Sequence, residues 1–280
     1  MSISSSQIII VGSGMNSLVC AALLAKRGKS VLVLERNDRA GGCIRTEELF
    51  PGFQHEVLSS WYPLFVSSAA YPELKDDLAA AGVEFLSNGY TTGVVMPDGR
   101  SLALRQDIED TVRRIDALAP GDGKAFGAMA HQLFGQDAAL TFGLLGNSPY
   151  GWKVARLLFS EWRKRKLDGM LSFAAESIES FRRWAERTLK SDIARAMISP
   201  WVLHTGLGPD EASSALIGKL TFAAVVAGGM PVVRGGGQEL VLGLQKIIEK
   251  HGGRIQTGTH VEQVEIEGGK AKGVRANGVR

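Results

Sequence analysis

The pattern of apolar residues at the start of the chain predicts a strand, a helix and a second strand. Gln7–Val11 is apolar without alternation, which is typical of a strand buried on both faces. Between Asn16 and Arg27 apolar residues recur at helical spacing, and Gly28 supplies the stop expected at a helix C-terminus. Ser30–Glu35, SVLVLE, repeats the uniform apolar pattern. Two such strands around a helix predict a right-handed βαβ unit in a parallel sheet.

The middle of the chain predicts a hairpin followed by helices. The segments GVVM and SLAL flank a turn at Pro97-Asp98-Gly99, which indicates a β-hairpin. From Asp107 to about Leu189 helical periodicity dominates, and Asp107 is placed to cap the first helix. The stretch Ser172–Leu189 is predicted to be one long helix.

The last 50 residues return to mixed α and β patterning. A helix is predicted from about Glu239 to Lys250, ended by Gly252 and Gly253. Three short segments with strand patterning follow, RIQT, HVEQVEIEG and KAKGVRANG, and they predict a β-meander.

Composition and charge narrow the classes of function. The chain has 280 residues, 45% of them hydrophobic and 22% charged, and a net charge of +3, which is too small to indicate nucleic-acid binding. The basic run Arg163–Lys166 is interpreted as a solvated helix end. The preceding RLLFSEW leaves a membrane-surface contact as the alternative.

Cysteine content and the N-terminal residues bear on metals and location. Cys20 and Cys43 have no metal-ligand spacing, so no metal site is predicted, and Cys20 is expected to be buried against the sheet. The N-terminal residues up to Gln7 carry no basic side chain and precede only a short apolar run, so no signal peptide is expected. These features predict a cytoplasmic protein.

The glycines between the first strand and the first helix indicate a phosphate site. Gly12 permits a tight turn, and Gly14 lets the backbone approach a pyrophosphate without a Cβ in the way. The helix that follows directs unpaired N–H groups and its positive dipole end at the phosphate. Ser17 stands where a third glycine is usual, and serine is small enough for close packing of helix and strand.

A carboxylate at the end of the second strand extends this site to a ribose. Glu35 lies 21 residues after Gly14, where an acidic side chain accepts hydrogen bonds from ribose hydroxyls. The same carboxylate repels a 2′-phosphate. NAD and FAD both satisfy this arrangement, so it leaves two classes of cofactor open.

The next stretch favours FAD over NAD. Instead of another helix and strand, the chain continues ERNDRAGGCIRTEELFPGF, in which Gly41-Gly42 is flanked by arginines. Such a glycine pair can wrap the diphosphate a second time, and Arg39 and Arg45 can supply positive charge to it.

Taken together, VGSGMNSLVCAALLAKRGKSVLVLERNDRAGGCIRTEELFPGF resembles the N-terminal FAD-binding signature of the phytoene desaturase and amine oxidase superfamily. The likeness is to the branch known as pyridine nucleotide-disulfide oxidoreductase domain 2-like. The downstream segments ISPWVLHTGLGPDEASSAL and GGMPVVRGGGQELVLGLQKIIEKHGGRIQTGTHVEQVEIEGGKAKGVRANG are similar to that branch in order and spacing. No CxxC pair accompanies them, so a redox disulfide is not expected.

The resemblance implies an α/β fold with a Rossmann-like FAD-binding domain and a mainly helical, partly β substrate domain. It implies that residues 1–90 and 226–280 form parts of the FAD-binding domain, and that residues 91–225 form the substrate-binding region. By motif position it assigns to the pyrophosphate the residues Gly12, Gly14, Met15 and Asn16. It places Glu35 at the ribose, and Arg36 and the backbone of Val261 at the adenine. The path toward the flavin is assigned to Gly41, Gly42, Arg45 and Thr46. His55, Glu56, His204 and Thr205 are candidates for contact with flavin or substrate, and no catalytic residue is assigned.

The leading hypothesis is an FAD-dependent oxidoreductase that transfers hydride from an unidentified hydrophobic small molecule to flavin. Relatives in the superfamily are longer and return to the FAD site near their C-terminus, so a closing segment is expected to be missing here. A non-catalytic fragment completed by that segment or by a second chain is therefore one alternative, and an NAD-dependent dehydrogenase is the other.

Overall fold

The computed structural model describes residues 6–278, so the first five residues, on which the signal-peptide prediction depends, lie outside the described residues. The chain divides into two compact units. One contains the N-terminal residues up to Ser87 together with those from Pro231 onward, and the other spans Asn88–Met230.

The helices and strands are numbered in chain order. The helices are α1 (Met15–Lys26), α2 (Pro63–Val66), α3 (Tyr71–Ala80), α4 (Ile108–Leu118), α5 (Asp122–His131), α6 (Ala138–Leu145), α7 (Trp152–Ile178), α8 (Phe181–Thr188), α9 (Asp192–Leu203), α10 (Ser214–Gly228) and α11 (Gly237–Lys250), with a π-helical turn at Gln132–Gln136. The strands are β1 (Ile8–Val11), β2 (Val31–Leu34), β3 (Thr46–Phe50), β4 (Phe53–Glu56), β5 (Phe85–Leu86), β6 (Tyr90–Val95), β7 (Ser101–Arg105), β8 (Val232–Val233), β9 (Arg254–Gln256), β10 (Val261–Glu267) and β11 (Lys270–Ala276).

A three-stranded parallel sheet organises the first unit. Its order is β1-β2-β9, with Ile8 opposite Val31 and Leu32 opposite Arg254. The predicted βαβ unit and parallel sheet are confirmed. The prediction of full burial is wrong for β1, since Val11 is 52% exposed. Central β2 has strand neighbours on both sides and is buried throughout, whereas β1 has one neighbour among the described strands.

The two long helices of this unit pack on the sheet through small and branched side chains. On α1 the alanines present almost no bulk, so α11 approaches closely with its own apolar face. Cys20, which was expected to be buried, lies on the exposed side of α1. The buried core of the unit includes Leu18, Ala21, Ala22, Ala25, Val31, Val33, Leu74, Leu78, Leu240, Val241, Leu244, Ile247 and Ile248.

The C-terminal strands differ in one respect from the predicted meander. β9 follows α11 and joins the parallel sheet beside β2, so it is not the first strand of an antiparallel meander. β10 and β11 pair with each other as an antiparallel hairpin with two irregularities in register. Val261, Val274 and Ala276 of this hairpin pack on Leu32 and Leu34 of β2.

The second unit begins with the predicted hairpin, β6 and β7, and continues as helices. Asp107 caps α4 as predicted, because its carboxylate accepts hydrogen bonds from the amides of Glu109 and Asp110. The prediction of one helix over Ser172–Leu189 is wrong. The chain is extended at Glu179, and Ser180 caps a new helix, α8, with its hydroxyl.

The basic run ends the first part of α7, directly before a kink, and three of its four side chains are exposed, which agrees with the predicted solvated helix end. Lys166 has a φ of 58°, which interrupts the helix. Arg165 is largely buried and forms ion pairs with Asp137 and Glu161, and Lys164 also pairs with Glu161.

The described part of the chain shows neither a membrane-spanning helix nor a metal-ligand cluster. Between residues 6 and 278, none of the helices is both long enough and apolar enough to cross a membrane. Within the same range no group of three or more His, Cys, Asp or Glu side chains is arranged to hold a metal ion.

Candidate dinucleotide site

The turn between β1 and α1 is held open by its glycines. Gly12 has a φ of +88°, a conformation that side chains rarely adopt, and its amide donates to the carbonyl of Leu34 at 2.7 Å. A Cβ built at Gly12 or Gly14 would meet nothing within 4 Å. Free space therefore lies beside this turn, on the side where a side chain would otherwise stand.

The N-terminus of α1 is available for an anion. Gly14 is the N-cap residue, no side chain of the described residues caps the helix, and its first turn carries no acidic residue. Met15 is half-buried and Asn16 is exposed. Uncapped N–H groups and the positive end of the helix dipole together favour a negatively charged group at this position.

Glu35 is the most strongly held polar side chain of the site. The residue is only 6% exposed. Its Oε2 accepts from the Ser13 amide at 2.9 Å and from the Ser13 hydroxyl at 2.6 Å. Its Oε1 accepts from the Asn37 amide at 2.9 Å and from Asn37 Nδ2 at 2.8 Å.

These four donors decide the charge of Glu35. Burial by itself would raise the pKa of the carboxyl group, but the hydrogen bonds from Ser13 and Asn37 outweigh it and hold the pKa below its usual value. A negative charge is thus fixed at the carboxyl end of β2, beside the glycine turn.

The second glycine pair meets the first. The Gly41 amide donates to the Ser13 carbonyl at 3.1 Å, and Gly14 and Gly41 form an isolated parallel bridge. A Cβ at Gly42 would lie 3.0 Å from the Gly14 Cα. The structure thus brings together two motifs that are 27 residues apart in sequence, backbone against backbone.

The arginines near this loop are directed at a carboxylate. Arg39 and Arg45 both form ion pairs with Glu47, and Arg36 is exposed at the end of β2. Glu47 thus pairs with the two arginines that were predicted to supply positive charge to a diphosphate.

Thr46 connects this loop to the start of α11. Its Oγ1 donates to Glu56 Oε1 at 2.7 Å and accepts from the Gln238 amide at 3.1 Å. The Gly237 amide donates to the same Glu56 oxygen at 2.8 Å. Thr46 and Glu56 line a cavity of about 330 Å³, and the other oxygen of Glu56 is buried without a hydrogen-bond partner.

Tyr62 lies close to this carboxylate. Burial, with a contribution from the negative charge of Glu56, raises the pKa of Tyr62 to about 12. Its hydroxyl donates to the Ser59 carbonyl at 2.9 Å, so it is neutral and engaged. Of the sequence candidates near the flavin, Glu56 therefore borders a cavity, whereas His55 has its Nδ1 3.0 Å from the Phe53 carbonyl in the β3–β4 hairpin.

The segment before β10 runs along the end of β2. The Thr259 amide donates to the Glu35 carbonyl at 2.7 Å, and the Glu35 amide donates to the Gln256 carbonyl at 2.9 Å. Val261 follows this segment and packs on Leu32 and Leu34. The candidate adenine contact and the candidate ribose contact therefore both lie near the carboxyl end of β2.

The remaining sequence candidates lie in the second unit. His204 directly follows α9, and its ring is 6.0 Å from that of Trp201. The Thr205 hydroxyl donates to the Val202 carbonyl at 2.7 Å.

Sequence reasoning missed two residues of this site. Ser13 bonds to Glu35 and Gly41, and Asn37 supplies half of the donors to Glu35. Both are small polar residues at positions for which the motif specifies no residue type. The signal available was weak: a serine between the two glycines, and an asparagine two residues after the acidic strand end.

Comparison with known proteins agrees with this geometry. Residues 10–80 match the family described as NAD(P)-binding Rossmann-like domain. The chain is 24% identical over 267 residues to a subunit of limonene dehydrogenase from Castellaniella defragrans, covering 95% of this chain and 47% of that protein. It is 25% identical to phytoene desaturase of Fusarium fujikuroi, covering 95% of this chain and 46% of the relative.

Two further matches bear on the predicted resemblance. The pyridine nucleotide-disulfide oxidoreductase domain-containing protein 2 of Rattus norvegicus is 31% identical over 127 residues, which cover 42% of this chain and 21% of that protein. A solved structure of putrescine oxidase bound to putrescine superposes with a TM-score of 0.59 at 18% identity, covering 98% of this chain and 55% of the other. At that identity the likeness shows a shared fold.

These matches confirm the resemblance predicted from the sequence. The chain contains a Rossmann-like domain, is homologous to phytoene desaturase and to the limonene dehydrogenase subunit, and shares the fold of an amine oxidase. It spans about half the length of these two homologues.

Proposed function

We propose that this chain carries the cofactor-binding part of an FAD-dependent oxidoreductase. The observation that supports it most is the meeting of the two glycine loops beside the charged Glu35. The named homologues, a dehydrogenase and a desaturase, are oxidoreductases, which supports the reaction class.

The residues present fit the ADP half of FAD. The space beside Gly12 and Gly14, next to the uncapped start of α1, suits the pyrophosphate. Glu35 suits the ribose hydroxyls, although four donors already occupy its oxygens. We expect a ribose hydroxyl to replace Asn37 Nδ2, because Asn37 is exposed and its side chain can rotate away.

Four further residues would contact other parts of the FAD molecule. Arg36 and the backbone of Val261 would border the adenine, and Thr46 would lie on the path toward the flavin. For Arg45 to reach a phosphate, it would have to exchange its partner Glu47 for the ligand. This exchange conserves the number of ion pairs.

When bound, the flavin supplies the capacity to accept a hydride from a substrate. We propose a small, hydrophobic organic molecule as that substrate, with residues 91–225 as the substrate-binding region, residues 1–90 and 226–280 as the FAD-binding domain, and the cytoplasm as the location. The apolar content of the middle region supports the choice of substrate.

A paired titration tests the cofactor assignment. The purified chain is titrated with FAD and, separately, with NADH, and binding is followed by flavin and nicotinamide fluorescence. The proposal expects saturable FAD binding and no NADH binding in the absence of flavin. Saturable NADH binding without FAD binding would favour an NAD-dependent dehydrogenase instead.

A second candidate is a subunit or fragment that holds FAD only together with additional polypeptide. It is favoured by the coverage of about half of each homologue, and one homologue is itself named as a subunit. FAD binding that appears only after a complementing chain is added would support this candidate. Tight FAD binding by residues 1–280 alone would argue against it.

We also propose that α7 contacts an anionic membrane surface. Trp152 is 82% exposed, and Phe159 and Trp162 are also exposed, with Arg156 and Arg163 interleaved on the same helix. Sedimentation with vesicles of phosphatidylcholine and phosphatidylglycerol should pull the chain down, and the double variant Trp152→Ser, Phe159→Ser should stay in the supernatant. Equal sedimentation of both proteins would refute the contact.

A further inference from the structure

The helical unit contains a partly open cavity that takes no part in the proposed FAD site. Its volume is about 240 Å³, smaller than the roughly 300–1,000 Å³ of pockets for drug-sized ligands, so it suits a small molecule. Its wall includes Lys219 of α10, Thr141 of α6, Trp184 of α8 and Glu176 of α7.

Lys219 is a buried amine without an ionic partner. The residue is 8% exposed, and its Nζ lies 5.4 Å from the centre of the Trp184 ring. No hydrogen bond or ion pair within 4 Å joins Nζ to another of the residues that the structure describes, and the carboxylates nearby act on it only through space. Burying an ammonium group without a close counter-charge is costly, so this environment raises the share of neutral amine above that of an exposed lysine.

The charged groups around Lys219 are engaged elsewhere. Glu176 accepts from Gln132 Nε2 at 2.8 Å, and Glu179 pairs with Arg187 at 2.9 Å. Asp137 pairs with Arg165. Burial lowers the pKa of Lys219, although Glu176, Glu179 and Asp137 act in the opposite direction and Arg187 acts with it.

The charges that line the cavity disfavour an anionic ligand. Two acidic side chains, Asp137 and Glu176, line it together with the Arg187 guanidinium and the Lys219 amine, which is neutral in its reactive form. An anion would add an uncompensated charge beside two carboxylates. The Thr141 hydroxyl is buried without a hydrogen-bond partner, so a ligand with an oxygen atom can satisfy it.

We propose that Lys219 captures a small neutral aldehyde or ketone in this cavity as an imine. The lone pair of Nζ forms a bond to the carbonyl carbon while the carbon–oxygen π bond opens. A first proton passes from nitrogen to oxygen and gives a carbinolamine; a second proton then passes from nitrogen to the hydroxyl group, the carbon–oxygen bond breaks, water leaves, and a carbon–nitrogen double bond remains. The step is a reversible condensation and needs no oxidant or reductant.

Reductive trapping tests this proposal on the intact 280-residue chain. The protein is incubated at neutral pH with pentanal and sodium cyanoborohydride, which reduces an imine to a stable secondary amine, and modified lysines are located by peptide mapping. We expect an adduct on Lys219 before any on Lys124, which lies on the surface of the same unit. Lys219→Arg should lose the early adduct, and Lys124→Arg should keep it.

The opposite pattern would overturn the proposal. If wild-type chain is modified on exposed lysines and the N-terminal amine while Lys219 stays unmodified, Lys219 does not capture carbonyl compounds. This outcome is read from the wild-type map alone, so it does not depend on whether Lys219→Arg folds. It is also independent of FAD, so failure here would leave the proposed cofactor site untouched.

Discussion

At the scale of single residues, Ser13 and Glu35 explain why the glycine turn has one conformation. Ser13 donates twice to Glu35, and its carbonyl accepts from Gly41. One small residue therefore ties the first loop to the second and to the end of β2. A buried carboxylate with four donors is stable as an anion, and it carries the charge preference of the site.

Replacing Glu35 by Gln should destabilise the chain in a pH-dependent way. At neutral pH the amide group of Gln would face N–H and O–H donors, which leaves buried donors unpaired and costs about 1–3 kcal/mol. Because the pKa of Glu35 is lowered in the folded state, the stabilisation it provides is present above its ordinary value of 4.5 and is lost as the pH falls through the folded value.

Urea denaturation at several pH values measures this difference. The gap between wild type and Glu35→Gln should be full at neutral pH and should narrow below pH 4.5. Glu249→Gln, at an exposed position on α11, is the matched control and should show little difference at either pH. A gap that stays constant down to low pH would contradict the role given to the Glu35 charge.

Replacing Gly41 by alanine should destabilise the folded chain. Its φ is +124°, and a Cβ there would lie 2.8 Å from the Ile44 carbonyl oxygen. Gly41→Ala should lower the free energy of unfolding by about 1–3 kcal/mol. The control is Gly273→Ala in β11, where φ is ordinary and a Cβ would meet nothing within 4 Å. Equal stability of the two variants would show that the loop can relax.

Some residue-level features follow from the sequence and others do not. Gly12, Gly14 and Glu35 are recognisable because residues of these types at this spacing suit a dinucleotide: the glycines allow the backbone to approach the pyrophosphate, and the carboxylate accepts from the ribose. Thr46 and Glu56 meet the amides of α11 from positions 192 and 181 residues away, and no local pattern encodes such a contact. Likewise, the pairing of Arg45 with Glu47 depends on the exact path of the loop.

At the scale of elements, capping decides where the helices begin. Asp107 starts α4 as its sequence predicts, whereas Ser180 divides a stretch that has continuous helical periodicity. Glu179 and Ser180 have extended backbone before α8, and apolar periodicity does not reveal that. The edge position of β1 similarly exposes Val11, although the strand is as apolar as central β2.

Asp122 should be essential for joining α5 to the start of α9. It is buried, and its carboxylate accepts from the Lys190 amide at 2.8 Å, the Ser191 amide at 2.9 Å and the Ser191 hydroxyl at 2.8 Å. In Asp122→Asn, the side-chain NH2 group would face these N–H and O–H donors and leave some of them unpaired. The free energy of unfolding should fall by about 1–3 kcal/mol.

Thermal or urea unfolding monitored by circular dichroism checks the loss. Burial would raise the pKa of Asp122, but its hydrogen bonds lower it overall, so the stabilisation is present near neutral pH and is lost on acidification. Asp168→Asn, at an exposed position of the same unit, is the control and should change stability by less than about 0.5 kcal/mol. Similar losses in both variants would contradict the role of Asp122.

At the scale of the whole molecule, the sequence separates a β-containing first unit from a mainly helical second one. The parallel sheet is predictable because β1, α1 and β2 are consecutive and strongly patterned. The pairing of β9 with β2 is harder to predict, because β9 has only three residues. So short a strand could join either the parallel sheet or the following hairpin. β9 follows α11 directly and pairs with β2.

The central claim is that the glycine loops and Glu35 bind the ADP half of FAD. Equilibrium titration of the 280-residue chain with FAD, followed by flavin fluorescence, tests it most directly. Glu35→Gln should weaken binding by about tenfold, the loss of roughly one hydrogen bond to a charged group. Glu249→Gln and Asn37→Ala should bind as wild type or better, because both keep the Glu35 carboxylate. We therefore expect wild type, Glu249→Gln and Asn37→Ala all to bind FAD more tightly than Glu35→Gln. Wild-type chain that binds no FAD, or that binds it no better than correctly folded Glu35→Gln, would contradict it.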